Sequence, residues 1–330
     1  MLSGVQIICF AASYSVVLLL ELSRVVFRSG VRGAVMIGFA VAGLVAHTAF
    51  LYTRAVGSPR SPLSSEQDWY LIAAWLLVVV YLYLTWSFPR QSFGAFLLPL
   101  VLGLIAAGTF LARSEPFPRE PASRVWGMIH GGAVLLATVA VLVGFAAGVM
   151  YLWQSRRLKR KLPPRPGLRL PSLEWLARTN RRALVVAVVA LVVGVMAGIV
   201  LGVLRGATDA ARLPWWDPVV LSTLVMLLWL LTAVVLTARM QAARQGRAVA
   251  YLTVVSFVFL AVALGAMLLL DTRHGGIQAH DRPVGAARDS HRWPSVGFIQ
   301  AHGPRPVGLS PVGLSPVGLH PVGPALEGRR

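Results

Sequence analysis

A chain of 330 residues that is 56% hydrophobic and 13% charged, with mean hydropathy +0.70, is not composed like a soluble globular protein, in which about a quarter of residues are charged. The net charge of +19 would suggest nucleic acid as a partner in a soluble chain. Here the basic residues fall in short connections between apolar runs, so they point to membrane orientation and to no nucleic acid. The single cysteine, Cys9, excludes a disulfide framework, a Cys-x-x-Cys redox pair and a Cys-x-x-Cys-His attachment site.

A bilayer core takes about 20 apolar residues per helix. Eight runs meet or approach this length, at 4–26, 34–53, 69–87, 92–112, 126–153, 183–204, 216–237 and 248–270. They are continuous and do not alternate, which excludes barrel strands as the spanning element. The predicted fold is all-α: a polytopic transmembrane helical bundle of about eight helices over residues 1–274. The first run lacks a basic leader and a small-residue cleavage site, so it is expected to be a retained helix and not a signal peptide.

Charge predicts the orientation. Arg24, Arg28 and Arg32 follow the first run. Ten basic residues from Arg156 to Arg182 follow the fifth, against Glu174 alone, and Arg239, Arg244 and Arg247 follow the seventh. The connections between these are nearly balanced, as with Arg54 and Arg60 against Glu66 and Asp68. The basic connections are expected to be cytoplasmic, which puts both termini outside a cytoplasmic (inner) membrane. Gly144 and Gly148 in the fifth run, and Gly194, Gly198 and Gly202 in the sixth, have the four-residue spacing of close helix packing and are expected to serve only that. The tail 275–330 carries three copies of Pro-Val-Gly-Leu and four histidines. Its Gly and Pro density predicts a disordered low-complexity segment with incidental histidines.

Three histidines lie in or beside the bundle. His47 sits in the second run, seven residues before Arg54, about 10 Å below the outer boundary. Ala40 and Gly43 give it a small-residue face suited to a flat ligand or another helix. An ionisable residue at that depth is either functional or a neutral imidazole bonded to a neighbouring helix. His130 lies in Trp126-Gly127-Met128-Ile129-His130-Gly131-Gly132. Counting back about 20 residues from the basic connection puts it at the outer surface. His274 directly follows the eighth run, on the same side, as does the loop Leu213-Pro214-Trp215-Trp216-Asp217-Pro218. Two neutral imidazoles converging from opposite sides suit the axial positions of a haem iron. Indole rings offer an apolar platform for a porphyrin. Arg124, Arg205, Arg212 and Arg273 could pair with propionates. Zinc fits less well, with no thiolate and no partner ligand on the same helix. No Ser/His/Asp set, phosphate-binding glycine loop or paired carboxylates occur in a credible setting.

Several stretches carry a family resemblance. They are Trp126 to Lys161, with an Ile-His near a helix start and Tyr151-Leu152-Trp153-Gln154 before a basic run; Leu170-Pro171-Ser172-Leu173-Glu174; Trp215-Trp216-Asp217-Pro218; Gly246-Arg247-Ala248-Val249-Ala250-Tyr251-Leu252; and a histidine after the last helix. In order and topology this resembles the cytochrome c assembly family of polytopic membrane proteins, the group that includes CcsA/ResC, CcmC and HemX-like proteins. The resemblance spans roughly residues 40–274. It implies non-covalent, b-type haem held on the outer face of the membrane for attachment to apocytochrome c. It also implies His130 and His274 as axial ligands, the Trp215-Trp216-Asp217 segment as platform, and His47 as a candidate ligand within the membrane. The partners implied are apocytochrome c and a CcsB/ResB-like membrane protein, within the lipid bilayer. A HemX-like role in regulating tetrapyrrole synthesis is the alternative.

Overall fold

The computed structural model describes residues 6–23, 32–57, 65–114, 124–161, 169–208, 217–240 and 242–269. Eight helices occupy them: α1 (Ile7–Ser23), α2 (Arg32–Gly57), α3 (Glu66–Ser87), α4 (Gly94–Phe110), α5 (Arg124–Lys159), α6 (Leu173–Thr208), α7 (Pro218–Arg239) and α8 (Ala242–Leu269). No strand occurs among the described residues. Six helices are long and apolar enough to cross a membrane. α1 and α4, at 17 residues each, stand at the short end of the spanning range. The chain is a multi-pass helical membrane protein, as its composition requires. The expected tail, from 275 onward, lies outside the described residues.

The helices run alternately up and down, and a contact at each end of the bundle shows why. At one end Arg54, in the last turn of α2, reaches the start of α3. Its Nε lies 2.8 Å from Asp68 Oδ1, and its Nη1 donates to Gln67 Oε1 at 2.7 Å. Ser65 and Asp68 cap each other's backbone, with Asp68 N donating to Ser65 Oγ and Ser65 N to Asp68 Oδ2, both at 3.1 Å. This satisfies amides that a helix start otherwise leaves open. The end of α4 joins them, since Arg113 N donates to Glu66 Oε2 at 3.2 Å. Arg54, Glu66 and Asp68 of this connection are therefore joined in one largely buried polar clasp.

At the opposite, basic end the clasp is aromatic. Trp175, in the first turn of α6, packs edge-on to Phe88 with centroids 5.5 Å apart and against Phe93 at 5.6 Å. Ser92 N donates to Arg169 O at 2.9 Å. The segment entering α6 is thus pinned to the α3–α4 turn.

α5 and α6 correct the sequence reading of their lengths. Each has 36 residues, about 54 Å at 1.5 Å per residue, against a bilayer core of about 30 Å. The hydropathy boundary at 183 put Glu174 to Arg182 in a connection, but α6 begins at Leu173. Hydropathy marks the part of a helix that lipid needs. The helix itself continues because Leu176 and Asn180 are fully buried on one face and Glu174 pairs with Arg178 at 2.7 Å, one turn apart on the other. The two helices form the most extensive pair in the bundle. Buried alanines line them, Ala137, Ala140 and Ala147 on α5 and Ala183, Ala187 and Ala190 on α6. Small side chains let backbones approach where lipid supplies no hydrophobic drive between helices.

Candidate functional site

His130 lies in the second turn of α5, at the end of the bundle opposite the aromatic clasp. Its Nδ1 is 2.7 Å from the carbonyl oxygen of Gly194 on α6. A carbonyl only accepts, so Nδ1 carries the proton and donates it. The neutral ring then holds its lone pair on Nε2. A protonated second nitrogen on a backbone carbonyl is the usual support of a histidine that ligates through the other.

The glycines of α6 make this possible. A Cβ on Gly198 would stand 2.9 Å from His130 Nδ1 and 3.0 Å from its Cε1, and one on Gly194 would meet Val134 Cγ2 at 3.0 Å. The imidazole therefore lies directly on the α6 backbone, in space that any other residue would fill. The Gly-x-x-x-Gly spacing was expected to serve packing alone; it also seats the candidate ligand. The signal available in the sequence was the pairing of that series with a histidine itself followed by two glycines.

A second neighbour gave no sequence signal beyond its place at a helix start. The indole of Trp69, in the first turn of α3, lies against Gly131, where a Cβ would meet its Cη2 at 2.5 Å. It braces α5 at the residue after His130. On the open side, Val125, Trp126, Met128 and Ile129 are exposed. Trp126 stands one turn from His130 on the same helix face. The imidazole thus lies against a glycine wall on α6, and the start of its own helix presents exposed apolar and aromatic side chains.

The remaining expected site residues divide into three groups. His274, Trp215 and Trp216 lie outside the described residues, as do Arg212 and Arg273. Arg124 and Arg205 belong to the end turns of α5 and α6 nearest His130. Asp217 is buried at the start of α7, and its Oδ1 accepts from Val219 N at 2.9 Å. It caps the helix, with Pro218 in the first helical position, where a missing N–H costs nothing.

His47 is not brought to His130. α2 makes no contact with α5 or α6 among the described residues. The ring of His47 is fully buried and stacks on Phe10 of α1, centroids 4.0 Å apart and 2° from parallel. Its Nδ1 faces Tyr14 Oη at 3.4 Å, while Nε2 is buried without a hydrogen-bond partner. Gly43, expected to offer a face for a flat ligand or a helix, is covered by the helix: a Cβ there would meet Tyr14 Cε1 at 2.7 Å. Among the described residues no three of His, Cys, Asp and Glu group as metal ligands.

A family model described as Cytochrome C assembly protein matches residues 64–272, which takes in α3 to α8 and His130 and leaves out α1, α2 and His47. No curated protein matches the chain, and no solved structure does. The matched segment covers well over half of the sequence, and the chain belongs to the cytochrome c assembly protein family.

Proposed function

We propose that the protein is a haem-holding membrane component of cytochrome c maturation, which keeps b-type haem at the end of the bundle where α5 begins. The observation that carries this is the geometry of His130: Nδ1 committed to the Gly194 carbonyl, lone pair on Nε2, ring seated on Gly198. These residues fit haem, since a neutral imidazole of fixed tautomer is what an iron axial position takes. Haem, when bound, supplies the iron for that position and the vinyl groups to which thiols of an apocytochrome add. The chain's own work is to orient. Gly194 fixes the tautomer, Gly198 seats the ring, Trp69 braces the helix at Gly131, and Trp126 and its apolar neighbours keep water from one side. His274 would be a second histidine holding the haem, and Trp215 and Trp216 its platform, as the family resemblance implies and as their places in the sequence just after α8 and just before α7 allow. Asp217 contributes by holding the start of α7 directly after that platform.

Orientation follows the charge argument: this end faces outward from the cytoplasmic membrane, where apocytochrome c is met. A CcsB/ResB-like membrane protein is the expected companion, supplying the external surface for the acceptor. The test is a deletion strain complemented with wild type or with His130→Ala. Wild type restores covalently attached c-type haem, and His130→Ala does not. A strain with normal c-type cytochromes but altered porphyrin precursors would instead establish the HemX-like, regulatory reading and overturn this one.

A further inference from the structure

An open groove between α2 and α3, toward the basic end of the bundle, has no part in the site at His130. It measures about 310 Å³ and is lined by Ile37, Val41, Leu82, Tyr83, Trp86 and Ser87. Toward the other end the two helices are joined by the Arg54 clasp and by Trp75 Nε1, which donates to Thr48 Oγ1 at 2.9 Å. Beyond those contacts the groove opens. Tyr83 is 68% exposed and Trp86 80%, and amphipathic aromatics at the end of a membrane helix mark the headgroup level.

The turn at that level is basic. The turn after α3 carries exposed Arg90, and the hydrogen bond from Ser92 N to Arg169 O at 2.9 Å brings exposed Arg169 to the same turn. The packing of Trp175 on Phe88 and Phe93 holds this junction in place. The acids on the adjoining segments are already committed: Glu21 is buried against Gly94, and Glu174 is paired with Arg178. An apolar groove lined by an indole and a phenol thus lies next to a turn that carries two exposed arginines.

We infer that this groove binds an anionic phospholipid, with an acyl chain along Val41 and Leu82 and the phosphate at Arg90 and Arg169. Any phospholipid offers the chain. Selection for negative charge rests on the arginines, each contributing roughly a fivefold preference at a membrane surface.

The test uses the full chain in nanodiscs of phosphatidylcholine containing a minor fraction of phosphatidylglycerol, with retained lipid identified by native mass spectrometry. Wild type retains phosphatidylglycerol well above its bulk fraction. Arg90→Gln with Arg169→Gln shifts the retained lipid to bulk composition, while the double lysine variant keeps the selectivity. Val41→Trp, which fills the groove, loses the retained lipid without changing helix content. Retention in proportion to bulk composition in wild type, or selectivity unchanged in the double glutamine variant, overturns the inference. So does a photo-crosslink from position 83 to another protein in native membranes with no lipid retained.

Discussion

Two helix pairs in this bundle each place a histidine beside glycine, and they use it in opposite ways. On α5–α6 the ring of His130 lies on Gly198, gives its Nδ1 proton to a backbone carbonyl and is half-buried near the start of α5. On α1–α2 the ring of His47 is sealed between Phe10 and Tyr14, and the neighbouring glycine serves the tyrosine. The first arrangement commits one ring nitrogen to the backbone of the facing helix. The second fills volume. Depth and neighbouring composition do not separate the two in sequence; what separates them is what stands against the ring face. Against His130 stands a glycine backbone, and against His47 a phenyl ring.

Substitutions at His47 test the comparison with the largest expected effect. His47→Ala removes a fully buried ring and should cost about 2–4 kcal/mol in thermal or denaturant unfolding, as other large-to-small core changes do. His47→Phe keeps a flat ring and removes a buried nitrogen without a partner but also takes away the partner of Tyr14 Oη, so it should cost less than the alanine change, about 1–2 kcal/mol. Haem content should be unchanged in the phenylalanine variant. If it lost its haem, the two histidines would not differ as described.

Gly198→Val addresses the other side. Its side chain enters space within 3.0 Å of the His130 ring, so overpacking should cost about 1–3 kcal/mol. Haem should be lost along with it, and an absorption spectrum taken beside a melting curve would separate the two effects. Gly103 meets nothing within 4 Å, and Gly103→Ala should leave both unchanged. Asp217→Ala should cost about 1 kcal/mol through loss of the α7 cap, with Asp217→Asn retaining most of it. A larger loss of haem than of stability in the asparagine variant would show that the carboxylate does more than cap. The smallest effect is expected of truncation after Gly276, which should leave haem, stability and cytochrome c levels as they are.

The fold was largely legible because lipid leaves few choices. A chain with these apolar runs must satisfy its backbone within helices, and the eight runs correspond to α1 to α8. The ends were not legible. Leu173 to Arg182 reads as a connection by hydropathy and is helix because Leu176 and Asn180 are buried, a fact of tertiary packing. At the candidate site, the surroundings of His130 in the chain singled it out. Its seat was not legible, because a Gly-x-x-x-Gly series records only that something approaches closely, and not which side chain does. Trp69 was invisible for a similar reason: it meets Gly131 from a helix far away in the sequence. The burial of Tyr14 on Gly43 was the missing knowledge at His47, where the sequence allowed a helix and a ligand equally.

The central claim is that His130 ligates haem and His47 does not. The most direct measurement is the absorption spectrum of the purified protein, wild type beside His130→Ala and His47→Phe. Wild type and His47→Phe should show the same Soret and α/β bands of a bis-imidazole haem, and His130→Ala should lose or shift them. Bands unchanged in His130→Ala, or abolished in His47→Phe, would contradict the account.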